Sequence, residues 1–100
     1  MTHTKKASLL AVAGLLLGAT VAYAAVTMEY DTDRMGGDYT SFDLSSADPT
    51  LCSTACDNDT SCLAYTYVKP GIQGTNARCW LKGVVPTATT STCCISGVKQ

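Results

Sequence analysis

Six cysteines between positions 52 and 94 set the terms on which this chain can fold. Three, five, sixteen and thirteen residues separate the successive cysteines as far as Cys93, and Cys94 follows directly. Structural zinc sites pair Cys-x2-Cys knuckles with histidines or with a second knuckle. Neither is present here, because the only histidine is His3, far from the cysteines. Thiol–disulfide catalysts use Cys-x-x-Cys with a lowered thiol pKa, and that motif is also missing. An even number of cysteines without metal or redox spacing reads as a disulfide framework, provided that the chain reaches an oxidising compartment.

The N-terminus supplies the route. Met1 to Lys6 carry two lysines and no acid, and Ala7 to Val21 form an apolar run rich in Leu and Ala. Ala22-Tyr23-Ala24 then has the small-x-small pattern that signal peptidase accepts. The uncharged stretch from Ala7 to Val26 matches the roughly 20 residues of a membrane-spanning helix. Its strongly apolar part ends near Val21, however, and a cleavage site stands where a stop-transfer charge cluster belongs. Residues 1–24 are therefore read as a signal peptide, and residues 25–100 as one exported domain, secreted to the periplasm or the cell exterior.

That domain is small and mildly acidic. Five basic and eight acidic side chains follow the leader, a net charge of about −3. Nucleic-acid affinity comes mostly from neutralising phosphates, so a chain without a basic cluster is not read as a nucleic-acid binder. Seventy-six residues bury too little surface for a comfortable hydrophobic core, which is the physical reason small exported folds cross-link themselves. With no histidine after the leader, acid–base catalysis would fall to carboxylates. The acids sit mostly in turn-like segments, so no enzyme, cofactor or metal is expected. Asp31-x-Asp33 followed by Gly36 has a faint likeness to a calcium loop. Met35 occupies a ligand position and Phe42 stands where the bidentate Glu belongs, so these aspartates read as solvated turn residues.

Local patterns place the elements. Met28-Glu29-Tyr30 reads as a short strand, Arg34 to Asp38 as a turn by its paired glycines, and Tyr39 to Leu44 as a strand. A helix is expected within Ser45 to Asn58, with Asp48 as N-cap and Pro49 at the first helical position. Leu51, Cys52, Ala55 and Cys56 give it an apolar stripe, with both cysteines on one face. Cys62 to Val68 alternates as a strand, with Leu63, Tyr65 and Tyr67 on one side and Ala64, Thr66 and Val68 on the other. Lys69 to Asn76 reads as a hairpin loop. Ala77 to Val84 returns as a strand, with Trp80 and Lys82 facing opposite to Cys79 and Leu81. Val85 to Thr92 reads as a surface connection and Cys93 to Lys99 as a last strand.

Leu51-Cys52-x3-Cys56-x5-Cys62-Leu63-Ala64-Tyr65-Thr66-Tyr67, followed by Cys79-Trp80-Leu81-Lys82, resembles the PAN/Apple module. The likeness extends over roughly Met28 to Lys99, and the closing Cys93-Cys94-Ile95-Ser96-Gly97-Val98-Lys99 looks like a bacterial branch of it. The resemblance implies an α+β fold, with one central helix packed on a curled antiparallel sheet and stapled by disulfides. It also implies that Cys52 joins Cys79 and that Cys56 joins Cys62. Closing the longer of these loops would contribute roughly 3–4 kcal/mol in the chain-entropy description. Apple modules proper add a bond between the domain termini. Here Cys93-Cys94 stands in its place, and two outcomes stay open, closure of the pair on itself or a link to another chain. Adjacent strand residues point to opposite faces, so a bond between them closes a strained, easily reduced ring.

PAN/Apple modules are non-catalytic binders of proteins or carbohydrates. The resemblance thus implies an exported interaction module with a protein or glycan partner, and no association with a membrane once the leader is removed. A structural or inhibitor-like disulfide-rich miniprotein is the second reading. Candidate ligand contacts are Gln73, Asn76 and Arg78 at the Lys69–Arg78 hairpin, together with Trp80. Tyr65 and Tyr67 share the aromatic character needed to stack on sugar rings, but alternating strand aromatics in so small a domain are expected in its core. N-terminal sequencing of the exported protein is expected to begin at Ala25; a sequence that begins at Met1 or Thr2 would reject the cleavage.

Overall fold

A computed structural model of the protein describes residues 26–100, so the leader read in residues 1–24 and its cleavage point lie outside the described residues. The elements follow in the order β1 (Glu29–Asp33), β2 (Asp38–Asp43), α1 (Pro49–Asp57), β3 (Ala64–Val68), β4 (Arg78–Lys82) and β5 (Thr89–Val98). The strands form one antiparallel sheet in the spatial order β1-β5-β3-β4-β2. Among the described residues, no helix is long and apolar enough to cross a membrane.

The helix begins where local chemistry requires. A residue that precedes proline is pushed out of the α region, and Asp48 is extended, with φ −127° and ψ 109°. Its carboxylate accepts hydrogen bonds from the Thr50 N–H at 3.0 Å and the Thr50 hydroxyl at 2.7 Å. Ser45 to Ala47 therefore precede α1 instead of forming its first turn. Cys52 and Cys56, one turn apart, are both fully buried. Cys52 is bonded to Cys79 on β4, with Cα atoms 5.4 Å apart, and Cys56 to Cys62 just before β3, with Cα atoms 5.2 Å apart. The apolar stripe is narrower than its sequence pattern. Leu51 is 37% exposed, because it lies about 100° around the helix from Cys52 and so off the face that meets β3 and β4. Leu63 is likewise exposed, since β3 begins one residue after it.

Beneath α1 the core gathers Tyr65, Tyr67, Cys79, Leu81 and Ile95, with Leu44 and Ala77 at one side. Val26, Met28 and Phe42 pack against this cluster. The Tyr65 hydroxyl donates to the Thr27 carbonyl at 2.9 Å. Burial pushes the Tyr65 phenol up to about 12.

The sheet has to curl. β1 and β2 are consecutive in sequence yet occupy opposite edges. Across a flat five-stranded sheet those edges would stand about 19 Å apart, at about 4.8 Å per strand. The five steps from Asp33 to Asp38 reach at most about 18 Å when fully extended. They are not extended, because Gly36 and Gly37 adopt φ values of 101° and 72°. The edges must therefore bend toward each other, and the crossing passes over the face opposite α1.

Two strands run longer than those read in sequence. β1 runs on through Asp31 to Asp33, because β5 bulges between Ile95 and Thr90, so that Asp31 alone, at φ 52°, faces Ser91 to Cys94 and pairing resumes at Thr32. Asp31 and Asp33 are strand residues, not turn residues, and Asp33 is half-buried. β5 in turn starts at Thr89, earlier than its apolar pattern suggests, because Thr89 and Thr90 pair with Asp33 and Thr32.

Gly97 faces Tyr65 across the β3–β5 ladder, and a Cβ there would collide with the Thr27 carbonyl and the Tyr65 ring. Gly97→Ala is expected to destabilise the domain by about 1–3 kcal/mol, as overpacked cores do. Each kcal/mol corresponds to about 4–8 °C in a domain of this size, so thermal unfolding of the oxidised protein checks the expectation. An unchanged Tm would show that the packing is looser than described.

Candidate functional site

Strand alternation sends Tyr65 and Tyr67 to the helix side and Ala64, Thr66 and Val68 to the other. By the same alternation Cys79 and Leu81 enter the core while Trp80 and Lys82 face away from it. The face opposite α1 thus carries Thr66 and Val68 from β3, Trp80 and Lys82 from β4, and Cys94 from β5. The β1–β2 crossing roofs one side through Met35 and Gly36, and the β3–β4 loop walls the other through Ile72 and Gln73. Together these residues enclose a cleft of about 230 Å³.

The cleft is rigidly framed. The Lys82 side chain is only 3% exposed, and its ammonium donates to Asp38 Oδ1 at 2.5 Å and to the Gly36 carbonyl at 3.1 Å. Gly36 at positive φ presents that carbonyl, so the roof of the cleft is tied to its floor by a buried charge. A second tie holds the start of the crossing. Arg34 grips both carboxylate oxygens of Glu29 at 2.8 Å and donates to the Pro86 carbonyl at 2.6 Å. The Arg34 guanidinium accordingly holds the Glu29 carboxyl below the usual carboxylate range. In the floor, Ser96 donates to the Thr32 carbonyl at 2.8 Å, and its oxygen lies 2.8 Å from the Thr66 hydroxyl. No buried side-chain nitrogen or oxygen among the described residues is left without a partner.

The residues read in sequence as ligand contacts divide. Gln73 and Trp80 line the cleft, joined by a 2.8 Å hydrogen bond from the indole N–H to Gln73 Oε1 that fixes the ring. Arg78 lies with its guanidinium 5.8 Å from the centre of the Trp80 ring. It also donates to Asp43 Oδ1 at 2.9 Å and to Ser41 Oγ at 2.8 Å, which braces β4 against β2. Asn76 is exposed in the loop and is not part of the cleft lining. Tyr65 and Tyr67 are core residues, 0% and 3% exposed.

Sequence reasoning missed Met35, Ile72, Asp38 and Asp33 as cleft residues. Lys82 was within reach, since period-two alternation puts it beside Trp80. The others arrive by the crossing and the loop, and no local periodicity marks them.

The last two cysteines also line the cleft. Cys93 and Cys94 are bonded to each other, closing the pair on itself. The Asp33 carboxylate lies within 4.8 Å of both sulfurs. While the sulfurs are joined they offer no thiolate to a metal.

Among known proteins, a family model for the PAN domain matches residues 32–82, from within β1 to the end of β4, including the four cysteines that staple α1. Cys93 and Cys94 lie beyond the matched stretch. No curated protein and no solved structure matches the chain.

Replacing Asp38 by Asn removes the charge that balances a buried ammonium. Unpairing one member of such a contact costs about 1–3 kcal/mol, the exposed side of Asp38 allowing some recovery through water. Denaturant unfolding of Asp38→Asn is expected to show that loss. Wild-type stability in this variant would mean that the Lys82–Asp38 tie does not hold the roof.

Proposed function

The chain belongs to the PAN domain family, and we propose on that footing that it is an exported, non-catalytic module that binds a protein or carbohydrate ligand in the cleft opposite α1. PAN domains are in general interaction modules for proteins or carbohydrates. One observation carries the assignment of the site to that cleft. Trp80 is half-buried on a rigid floor, locked by Gln73, with a fixed charge pair from Lys82 and Asp38 beside it.

An aromatic face next to oriented donors and acceptors is the combination that binding sites use. The ring supplies contact area at little cost in conformational entropy, and the polar groups give orientation. At about 230 Å³ the cleft is smaller than the roughly 300–1,000 Å³ that takes a drug-sized molecule. It suits one sugar ring or one protruding side chain of a partner. Ile72 and Met35, 56% and 79% exposed at the two rims, extend the apolar contact outward. Export is supported by the leader and by the three disulfides, which persist in oxidising compartments.

The oxidised exported protein, applied to a glycan array and used as bait in a pull-down, is expected to retain a ligand. Trp80→Ala is expected to lower the affinity for that ligand at least about tenfold, as loss of a central aromatic anchor does. Asn76→Ala is expected to leave it unchanged. Equal affinity in Trp80→Ala and wild type, with the circular dichroism spectrum preserved, would remove the cleft as the site.

A further inference from the structure

The Cys93–Cys94 pair has a neighbour that no disulfide requires. Asp33 sits at the end of β1, paired with Thr89 of β5, and the register shift that sets Ser91 to Cys94 opposite Asp31 alone leaves the two sulfurs near its carboxylate. One oxygen of Asp33 and both sulfur atoms lie within 4.8 Å of one another. The Asp33 carboxylate takes part in none of the ion pairs found among the described residues. Cys94 is 2% exposed and Cys93 is half-buried at the cleft, so the sulfurs are sheltered yet approachable from one side.

Reduction changes the electrostatics of this spot. A thiolate reductant attacks the more accessible Cys93 sulfur, the Cys93–Cys94 bond breaks, and the electron pair leaves on Cys94. A second reductant thiolate attacks the reductant's sulfur in this mixed disulfide and releases Cys93, giving two protein thiolates and one reductant disulfide. Ser91 already donates a hydrogen bond to Cys93 Sγ at 3.2 Å, which favours the thiolate once it forms. Two thiolates and a carboxylate then share one half-buried space. Three like charges so close are unfavourable unless protons or a cation compensate them. The donor set, two soft sulfurs and one oxygen, matches the d¹⁰ dications that accept thiolate and carboxylate together.

We infer that Asp33, Cys93 and Cys94 form a reduction-gated site for one thiophilic dication of the zinc class, closed while the cysteines are joined and opened by a thiol reductant. Three protein ligands leave a fourth tetrahedral position facing the cleft. Adjacent cysteines make the gate sensitive, because strand geometry directs neighbouring side chains apart and their bond opposes it. The other two disulfides link residues that are not neighbours in one strand and carry no such conflict.

The test uses the full exported protein and Cd²⁺ as the probe metal, whose thiolate charge-transfer absorption reports coordination directly. After graded reduction with a monothiol, alkylation mapping is expected to label Cys93 and Cys94 alone. The oxidised protein is expected to show no stoichiometric Cd²⁺ or Zn²⁺, and the mildly reduced protein one Cd²⁺ per chain with the thiolate band. Asp33→Asn is expected to weaken Cd²⁺ binding by about tenfold or more, since even outer-shell changes cost 10–100-fold. Asp31→Asn, an exposed neighbour on β1, is expected to leave it unchanged. Labelling of Cys52, Cys56, Cys62 or Cys79 before the pair, no Cd²⁺ band after reduction, or wild-type affinity in Asp33→Asn would each overturn the assignment.

Discussion

Four residues, Arg34 to Gly37, carry the chain from one edge of a five-stranded sheet to the other, and most of the molecule follows from that short crossing. A flat sheet cannot be bridged over such a length. The sheet bends, one face becomes concave, and the crossing lies over it. The helix is left with the opposite face, where its two cysteines fasten it to β4 and to the start of β3. Core and cleft are therefore two consequences of one geometric limit. The side chains at the crossing hold it in place: Arg34 closes on Glu29 and Pro86, and Lys82 reaches up from β4 to Asp38 and the Gly36 carbonyl.

The division of labour among the three disulfides follows from where they lie. Cys52–Cys79 and Cys56–Cys62 are fully buried beneath the helix, so they stabilise the fold and are shielded from chemistry. Cys93–Cys94 closes almost no loop and so does little to restrict the unfolded chain. It lines the cleft beside Asp33 instead. The family match ends before it, at residue 82. A bond that adds little stability, sits at a concave surface and lies outside the matched segment is placed where chemistry can use it.

Much of the fold was legible because the relevant signals are local. Asp48-Pro49 marks the helix start, since a proline dictates the conformation of the residue before it and forgoes only an N–H that would be unsatisfied anyway. The alternation from Ala64 to Val68 and from Arg78 to Lys82 separates core from cleft side chains one by one. The boundaries that slipped depend on partners remote in sequence. Thr89 and Thr90 are strand residues because β1 lies alongside them, and Asp31 to Asp33 are strand residues because a bulge lets β1 rejoin β5. Polar residues of that kind carry no apolar period to announce a strand.

The sequence by itself determined the cysteine framework, the helix that follows Asp48 and its cap, the antiparallel strands and the likeness to PAN modules, because each rests on residues near one another in the chain. It also placed Trp80 and Lys82 on a common face. Tertiary structure alone decided that this face is concave, that Asp38, Met35 and Ile72 close around it, and that Asp33 meets Cys93 and Cys94. These neighbours are separated by as many as sixty-one positions in sequence, as Asp33 and Cys94 are. They come together through strand order and the curl that a four-residue crossing imposes, and neither quantity is written in any local pattern.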